Sequence, residues 1–214
     1  MNKVLIADDH AVVRRGLKQI INDEPDFEVV GEAQNAREAL DLIQTNGGSG
    51  CDAVVLDITL PDKNGLVVLQ EMKARRPKLP VLILSMHPED QFALRALKLG
   101  AAGYLTKETA PGELVSALRK VLGGGKYISP RLAEQLVSDI GSPTSRPAPE
   151  RLSEREFQVL QLIASGKTIS QIAEHLNLSV KTVSTYRARL LLKMKMKTNA
   201  ELVRYAVQQG LVDL

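Results

Sequence analysis

The sequence predicts an α/β protein, a doubly wound five-stranded parallel sheet followed by a small all-α domain built on a helix-turn-helix. Three observations carry this. Residues 1–122 alternate short apolar runs with amphipathic stretches five times over, the order that builds a parallel sheet with helices on both faces. Three prolines within the nine residues 141–149 suit an extended linker and oppose helix. From Leu152 onward the apolar spacing is helical throughout.

In order, Lys3–Ala7 reads as a strand and Ala11–Asn22 as a helix with Val12, Val13, Leu17, Ile20 and Ile21 toward the core. Phe27–Ala33 is a strand, and Ala36–Thr45 a helix bearing Ala39, Leu40 and Ile43. After the Asn46–Gly50 loop, the apolar run Ala53–Leu56 is a buried strand that delivers Asp57 just before the turn Pro61-Asp62-Lys63-Asn64-Gly65. Gly65–Arg76 is a helix stopped by Pro77, Val81–Leu84 a strand, Asp90–Leu99 a helix, Ala102–Leu105 a strand and Glu113–Leu122 a helix. Gly123–Gly125 reads as a flexible exit, and residues 130–139 as a short helix with Leu132, Leu136 and Val137 on one face. We therefore expect domains at 1–125 and 150–214, joined by a linker at 126–149.

In the second domain Ser153 and Glu156 form a capping box for a helix through Ala164, which Gly166 ends. Ile169–Leu176 is a short helix stopped by Asn177. Ser179 caps a longer one, Val180–Met194, and Asn199 caps Ala200–Gln209, which Gly210 terminates. Short helix, tight turn and longer basic helix make the helix-turn-helix pattern.

Composition narrows the function classes. No apolar run approaches the length of a membrane span, and the single cysteine, Cys51, forms no internal disulfide, which fits a reducing cytoplasm. Residues 1–125 carry 15 Lys+Arg against 17 Asp+Glu, while the remaining 89 carry 13 against 8, so a polyanionic partner belongs to the back half. With 3% aromatic residues and no Trp, base stacking on aromatic platforms is not the expected binding mode.

A parallel sheet places all strand C-termini on one edge, so Asp8, Asp9, Asp57, Ser85 and Lys107 converge there, with Tyr104 near. Carboxylates so close repel unless a cation lies among them, and Mg²⁺ suits a half-built oxygen cage. Asp57 then has the role of nucleophile toward a phosphoryl group, Ser85 offers a hydroxyl donor and Lys107 a point charge. Taken singly, each residue has a blander reading: Asp8 and Asp9 as caps, Ser85 as a small strand-end residue, Lys107 as a solvated charge.

Asp8-Asp9, Asp57 ahead of the Pro61–Gly65 turn, Ser85, Tyr104 and Lys107 resemble the receiver domain of two-component response regulators, a flavodoxin-like fold, over residues 3–122. The resemblance implies Mg²⁺ held by Asp9, Asp57 and the backbone carbonyl of Thr59, with Asp8 acting through water. It further implies phosphorylation of Asp57 by a sensor histidine kinase and a switch made by Ser85 and Tyr104. Glu108 follows Lys107 where many receivers have proline.

From Lys181 to Lys197 there are six basic residues and no acid, the electrostatic footprint of duplex DNA binding. Val183, Leu190, Leu191 and Met194 should point to the core. Lys181, Ser184, Thr185 and Ala188 form the opposite face and reach base edges; Thr182, Tyr186, Arg187 and Arg189 flank it as phosphate ligands. Leu152-Ser153-Glu154-Arg155-Glu156, Ile169 with Ile172, Ala173 and Leu176, and Val180-Lys181-Thr182-Val183 resemble the LuxR-type helix-turn-helix. Joined to a receiver, that is the NarL/FixJ class. It implies a transcription factor, not an enzyme, that binds double-stranded promoter DNA as a homodimer paired through Ala200–Gln209, with RNA polymerase a further candidate partner. Leu192 and Lys195 depart from the acidic and small turn residues expected there.

Two features are set aside. Gly166-Lys167-Thr168 looks like the tail of a phosphate-binding loop, but Gln161 stands where its leading glycine belongs. His10, His87 and His175 are too scattered in sequence for a metal site and are read as caps or packing residues. The enzyme rival, an aspartate-nucleophile phosphatase of the haloacid-dehalogenase type, needs a second acid two residues after the nucleophile, where this chain has Thr59. A third reading, a DNA binder whose receiver only docks, leaves the acidic set without a purpose.

Overall fold

The computed structural model describes residues 1–45, 50–86, 89–130, 132–134 and 152–208, which belong to two compact units, Met1–Ser138 and Asp139–Leu214. His87, most of the Asn46–Gly50 loop, Leu136, Val137, the proline-rich segment, Gln209 and Gly210 lie outside the described residues.

Five strands, β1 (Asn2–Ala7), β2 (Phe27–Ala33), β3 (Ala53–Asp57), β4 (Val81–Ser85) and β5 (Gly103–Thr106), form one parallel sheet in the order β2-β1-β3-β4-β5. Between them run α1 (Ala11–Asn22), α2 (Ala36–Thr45), α3 (Gly65–Arg75), α4 (Glu89–Lys98) and α5 (Ala110–Leu122). β3 and β4 are buried at every residue, as strands covered on both faces must be, whereas β2 alternates as an edge strand does. Val4, Ile6, Phe27, Val55, Leu82 and Leu84 of the sheet pack with Leu17 and Ile21 of α1 and Leu114 and Leu118 of α5 into one core layer. The strand order reverses between β1 and β3, and that crevice is where such sheets hold ligands.

Three local expectations are corrected in this unit. Val12 is 83% exposed, because five residues before Leu17 is about 140° round a helix; Arg14 takes the inward place beside Leu17 and Ile21. α5 begins at Ala110, three residues before Glu113, since Pro111 is tolerated in a first turn whose N–H groups need no partner in the helix. And the chain does not leave the sheet at Gly125. Tyr127 returns beside β5, its N–H donating to the Ala102 carbonyl (2.9 Å) and its carbonyl accepting from Tyr104 N–H (3.4 Å). A Cβ on Gly103 would stand 2.6 Å from the Tyr127 carbonyl oxygen, so glycine is what permits that approach. Beyond it Ser129 caps residues 132–134, which are helical, and Leu132 is buried.

The second unit comprises α6 (Glu154–Ala164), α7 (Ile169–Leu176), α8 (Val180–Met194) and α9 (Asn199–Gln208). The capping box of Ser153 and Glu156 is present, and Thr168 with Gln171 forms a second. Asn177 stops α7 in the left-handed region (φ 52°), and the Ser179 hydroxyl caps α8 by accepting from Thr182 N–H at 3.1 Å. Phe157, Leu160, Ile163, Ile172, Val183, Leu190, Met194 and Leu202 are buried, while Leu191 is only half so. The cap of α9 is Thr198, not Asn199: its hydroxyl accepts from Glu201 N–H at 3.2 Å, and the Asn199 side chain is engaged elsewhere. Among the described residues no helix is long and apolar enough to cross a membrane.

Candidate functional site

The C-terminal ends of β1, β3 and β5 bring together side chains far apart in sequence. Asp8 and Asp57 are 1% and 2% exposed, and the Lys107 ammonium lies 2.7 Å from Asp8 Oδ2 and 2.7 Å from Asp57 Oδ2. Lys107 is held there by its backbone N–H, which donates to the Ser85 carbonyl (2.8 Å) at the end of β4. Thr59 meets the site through its own N–H, 3.1 Å from Asp57 Oδ1. Ser85 and Tyr104, the two residues of the switch that the resemblance implies, are both fully buried, so the Tyr104 ring already occupies an inward position.

Burial drives the Asp57 carboxyl up to about 6 against the pull of the Lys107 ammonium, and the neighbouring Asp8 charge adds to the rise. Burial alone would lower Lys107, but its contacts with Asp57 and Asp8 outweigh that and hold the ammonium above its ordinary range. Two buried carboxylates thus share one cation. Asp8 Oδ2, though 2.7 Å from the ammonium, has no hydrogen-bond donor aligned on it. Asp8, Asp9, His10 and Asp57 each offer an atom within 4.8 Å of the others, an oxygen-rich set that fits a hard divalent cation.

Sequence reasoning missed four contributors. His10, set aside with the other histidines, belongs to this cluster: Nδ1 is 2.6 Å from Asp9 Oδ1, and its N–H donates to Asp8 Oδ1 at 2.8 Å. It occupies the cap position just before α1 without capping the helix by its side chain. Its adjacency to Asp8-Asp9 was the available signal. Asp62 ties the loop after β3 to α2, its carboxylate accepting from Ala36 N–H (2.8 Å) and Arg37 N–H (3.1 Å). Gly65 closes that loop: its N–H donates to the Ile58 carbonyl at 2.7 Å, and a Cβ would lie 2.1 Å from the Asp57 carbonyl oxygen. The fourth is Arg14, whose Nη1 donates to the Asp8 carbonyl at 2.8 Å.

In the second unit α8 exposes Lys181, Ser184, Thr185, Ala188 and Arg189 along one side, with Thr182, Tyr186 and Arg187 half-buried at its margins. The basic run is not uniformly free. Arg187 Nε donates to Asn199 Oδ1 (2.6 Å), fastening α8 to α9, and Lys193 pairs with Glu156 at 2.6 Å. Burial raises the Glu156 carboxyl, yet the Lys193 ammonium and the Ser153 hydrogen bonds prevail and leave it below the ordinary range. Leu192 is 79% exposed, and Lys195 closes α8 with φ 54°. Thr168, from the set-aside Gly-Lys-Thr sequence, is the cap of α7.

The model of the response regulator receiver domain matches residues 4–119, and that of bacterial regulatory proteins of the luxR family matches residues 150–206. The chain belongs to the response regulators that join a receiver to a LuxR-type DNA-binding domain, the NarL/FixJ class: transcription regulators working through phosphorylation, not enzymes. It is 36% identical over 214 residues to the response regulator UvrY of Escherichia coli (strain K12), spanning 100% of this chain and 97% of that protein. It is also 36% identical to the response regulator GacA of Pseudomonas aeruginosa, over 100% of this chain and 99% of the relative. Among solved structures it resembles RcsB from Salmonella enterica serovar Typhimurium bound to promoter rprA in the presence of phosphomimetic BeF3⁻, with a TM-score of 0.74, 27% identity, and 95% and 97% of the two chains covered.

Proposed function

We propose that Asp57 is the phosphoryl acceptor, charged by a sensor histidine kinase, and that its phosphorylation controls pairing and promoter binding by the second unit. The observation that carries this is the pair of buried carboxylates sharing Lys107 at 2.7 Å each. Asp9, Asp57 and the Thr59 carbonyl would hold Mg²⁺, with Asp8 acting through water. Bound there, the ion supplies the positive charge that lets a phosphoryl group approach an acidic cluster. An Asp57 carboxylate oxygen attacks phosphorus and the bond to the donor breaks, giving an aspartyl phosphate. Lys107 pairs with the new phosphoryl charge, and the Ser85 hydroxyl donates to a phosphoryl oxygen. Tyr104, whose ring is already buried and whose N–H bonds Tyr127, completes the switch beside Ser85.

On duplex DNA, Lys181, Ser184, Thr185 and Ala188 read base edges, while Thr182, Tyr186 and Arg189 take phosphates. Arg187, fastened to Asn199, presents its remaining nitrogens to the backbone. A homodimer forms on promoter DNA through Ala200–Gln209, in the cytoplasm, with RNA polymerase a further partner. RcsB, resolved on a promoter with a phosphomimetic, supports the DNA arm of this reading. In this reading the functional domains are residues 1–125 and 150–214, joined by residues 126–149, of which Tyr127 bridges to Gly103 of β5.

Asp57→Asn should abolish the mass increase produced by acetyl phosphate with Mg²⁺ and weaken promoter binding, with an unchanged circular dichroism spectrum. A substituted protein that still takes up phosphate and dimerises normally would show that the acceptor is elsewhere.

A further inference from the structure

Arg14 is 8% exposed and sits where the 14-17-21 stripe of α1 calls for an apolar side chain. Burying a guanidinium is costly unless its donors are met, and here they are met incompletely. Nη1 reaches the Asp8 carbonyl at 2.8 Å, but Nε is 3.6 Å from Glu32 Oε2 and has no hydrogen bond. Glu32 in turn spends its other oxygen on Lys18, at 2.7 Å. A leucine or methionine at position 14 would extend the apolar stripe at less cost, so stability does not account for this arginine.

The hydrogen bond that its side chain does make points to another account. The carbonyl of Asp8 lies past the last paired residue of β1, Ala7, and outside the sheet ladder. That oxygen belongs to the planar peptide whose other end is the N–H of Asp9. Turning the peptide would swing the Asp9 carboxylate relative to Asp57, and mutual repulsion among three carboxylates favours such a turn. We propose that Arg14 is a positioning residue for the acceptor site: by clamping the Asp8–Asp9 peptide from beneath, it keeps Asp9 facing Asp57 across the divalent-ion pocket. Lys107 neutralises the cluster from inside the pocket; Arg14 acts on the backbone and leaves the carboxylate oxygens open to a ligand. The inference rests on the acceptor-site reading given above.

The test uses the full chain and three readouts: Mg²⁺ affinity by calorimetry, acetyl phosphate uptake by mass shift across a Mg²⁺ series, and melting temperature in EDTA. Arg14→Met, which keeps the volume and removes the donors, should weaken Mg²⁺ binding about tenfold, the usual loss when a group that orients a ligand is removed. Half-saturation of uptake should move to higher Mg²⁺ by the same factor. The rate at saturating Mg²⁺ should stay within about twofold and the melting temperature should not fall, a split that a purely structural arginine would not produce. Mg²⁺ affinity equal to the unsubstituted protein's would overturn the clamp. Should Arg14→Met fail to fold, Arg14→Lys decides, because an ammonium on a flexible four-carbon stem is not pre-organised toward the Asp8 carbonyl as the planar guanidinium is: about threefold weaker Mg²⁺ binding supports the proposal, and unchanged binding sinks it. If the unsubstituted chain itself neither binds Mg²⁺ nor takes up phosphate, the acceptor-site reading fails, and the clamp with it.

Discussion

The Asp8, Asp57 and Lys107 side chains of the first unit are almost wholly withdrawn from water, with the ammonium 2.7 Å from each carboxylate, whereas Lys181, Thr185 and Arg189 of the second stand in solvent along one side of α8. Buried charges are weakly screened, so the state of each is set by the others and one added proton or phosphoryl group rearranges all of them. Exposed charges act nearly independently, attract a polyanion in proportion to their number and weaken with salt. The first arrangement is suited to switching and the second to gripping. Glu156 and Lys193 cross the divide, since they place a buried carboxylate inside the gripping unit.

That exception offers the strongest way to break the contrast. Glu156→Ala removes half of a capping box and leaves Lys193 without its partner, and should cost the second unit about 2 kcal/mol, read as a lower unfolding midpoint. Because the folded carboxyl is held below its ordinary range, the stabilisation exists at neutral pH and is lost as acid carries the pH down through that lowered value. Equal midpoints for the two proteins at pH 7 would place Glu156 with the solvated charges.

Next in size is the response of the acidic pocket to pH. With the Asp57 carboxyl pushed up to about 6, Mg²⁺ must displace a proton below that pH and need not above it. Affinity should therefore rise roughly tenfold between pH 5 and pH 7 and then level. The same shift makes Asp57 a burden on the metal-free fold: the proton held when folded and released when unfolded means stability falls as pH climbs from the ordinary carboxylate range through about 6. Asp57→Asn should then melt higher than the unsubstituted chain in EDTA at pH 7, and the gap should narrow toward pH 4. A Mg²⁺ affinity flat across pH 5 to 7 would mean that Asp57 is ionised throughout and not governed by burial.

The gripping side is sharpened by comparing two of its cations. Arg189 is exposed, and Arg189→Ala should weaken every duplex alike and lower the salt slope by about one. Lys193→Met should leave the slope unchanged, since that ammonium is already committed to Glu156. Identical slopes for the two variants would show that the Glu156 pair opens on DNA.

The receiver's chemistry was legible because a βα alternation leaves one topology class, and that class sends Asp8, Asp57, Ser85 and Lys107 to one edge. What escaped depended on contacts that leave no periodic trace. Val12 and Val13 drew attention from Arg14, a cation at a core position that apolar patterning reads as surface. His10 was judged by its distance from other histidines when its partners were the two acids immediately before it. Tyr127 returns to the sheet through a single bridge, too short to register as a strand. On α8 the basic run was visible, but which of its members were free was not: Lys193 and Arg187 are engaged by Glu156 and Asn199, 37 and 12 residues away.

The smallest effect concerns where α8 ends. Lys195 adopts φ 54° and ψ 37°, with its N–H turned back to the carbonyls of the last turn, the left-handed cap that glycine occupies without strain. A side chain there costs about 1 kcal/mol, through contact between its Cβ and the backbone. Lys195→Gly should recover somewhat less than that, since the freed unfolded chain gains entropy, and should raise the unfolding midpoint of the second unit slightly. Lys195 is exposed beside Lys197 and Arg204. If its charge reaches phosphate, the same substitution weakens duplex binding while stabilising the fold, so stability and affinity move in opposite directions. A variant both less stable and weaker on DNA would mean that the cap depends on the lysine stem packing over the turn, and that the left-handed conformation is maintained by the residue rather than imposed on it.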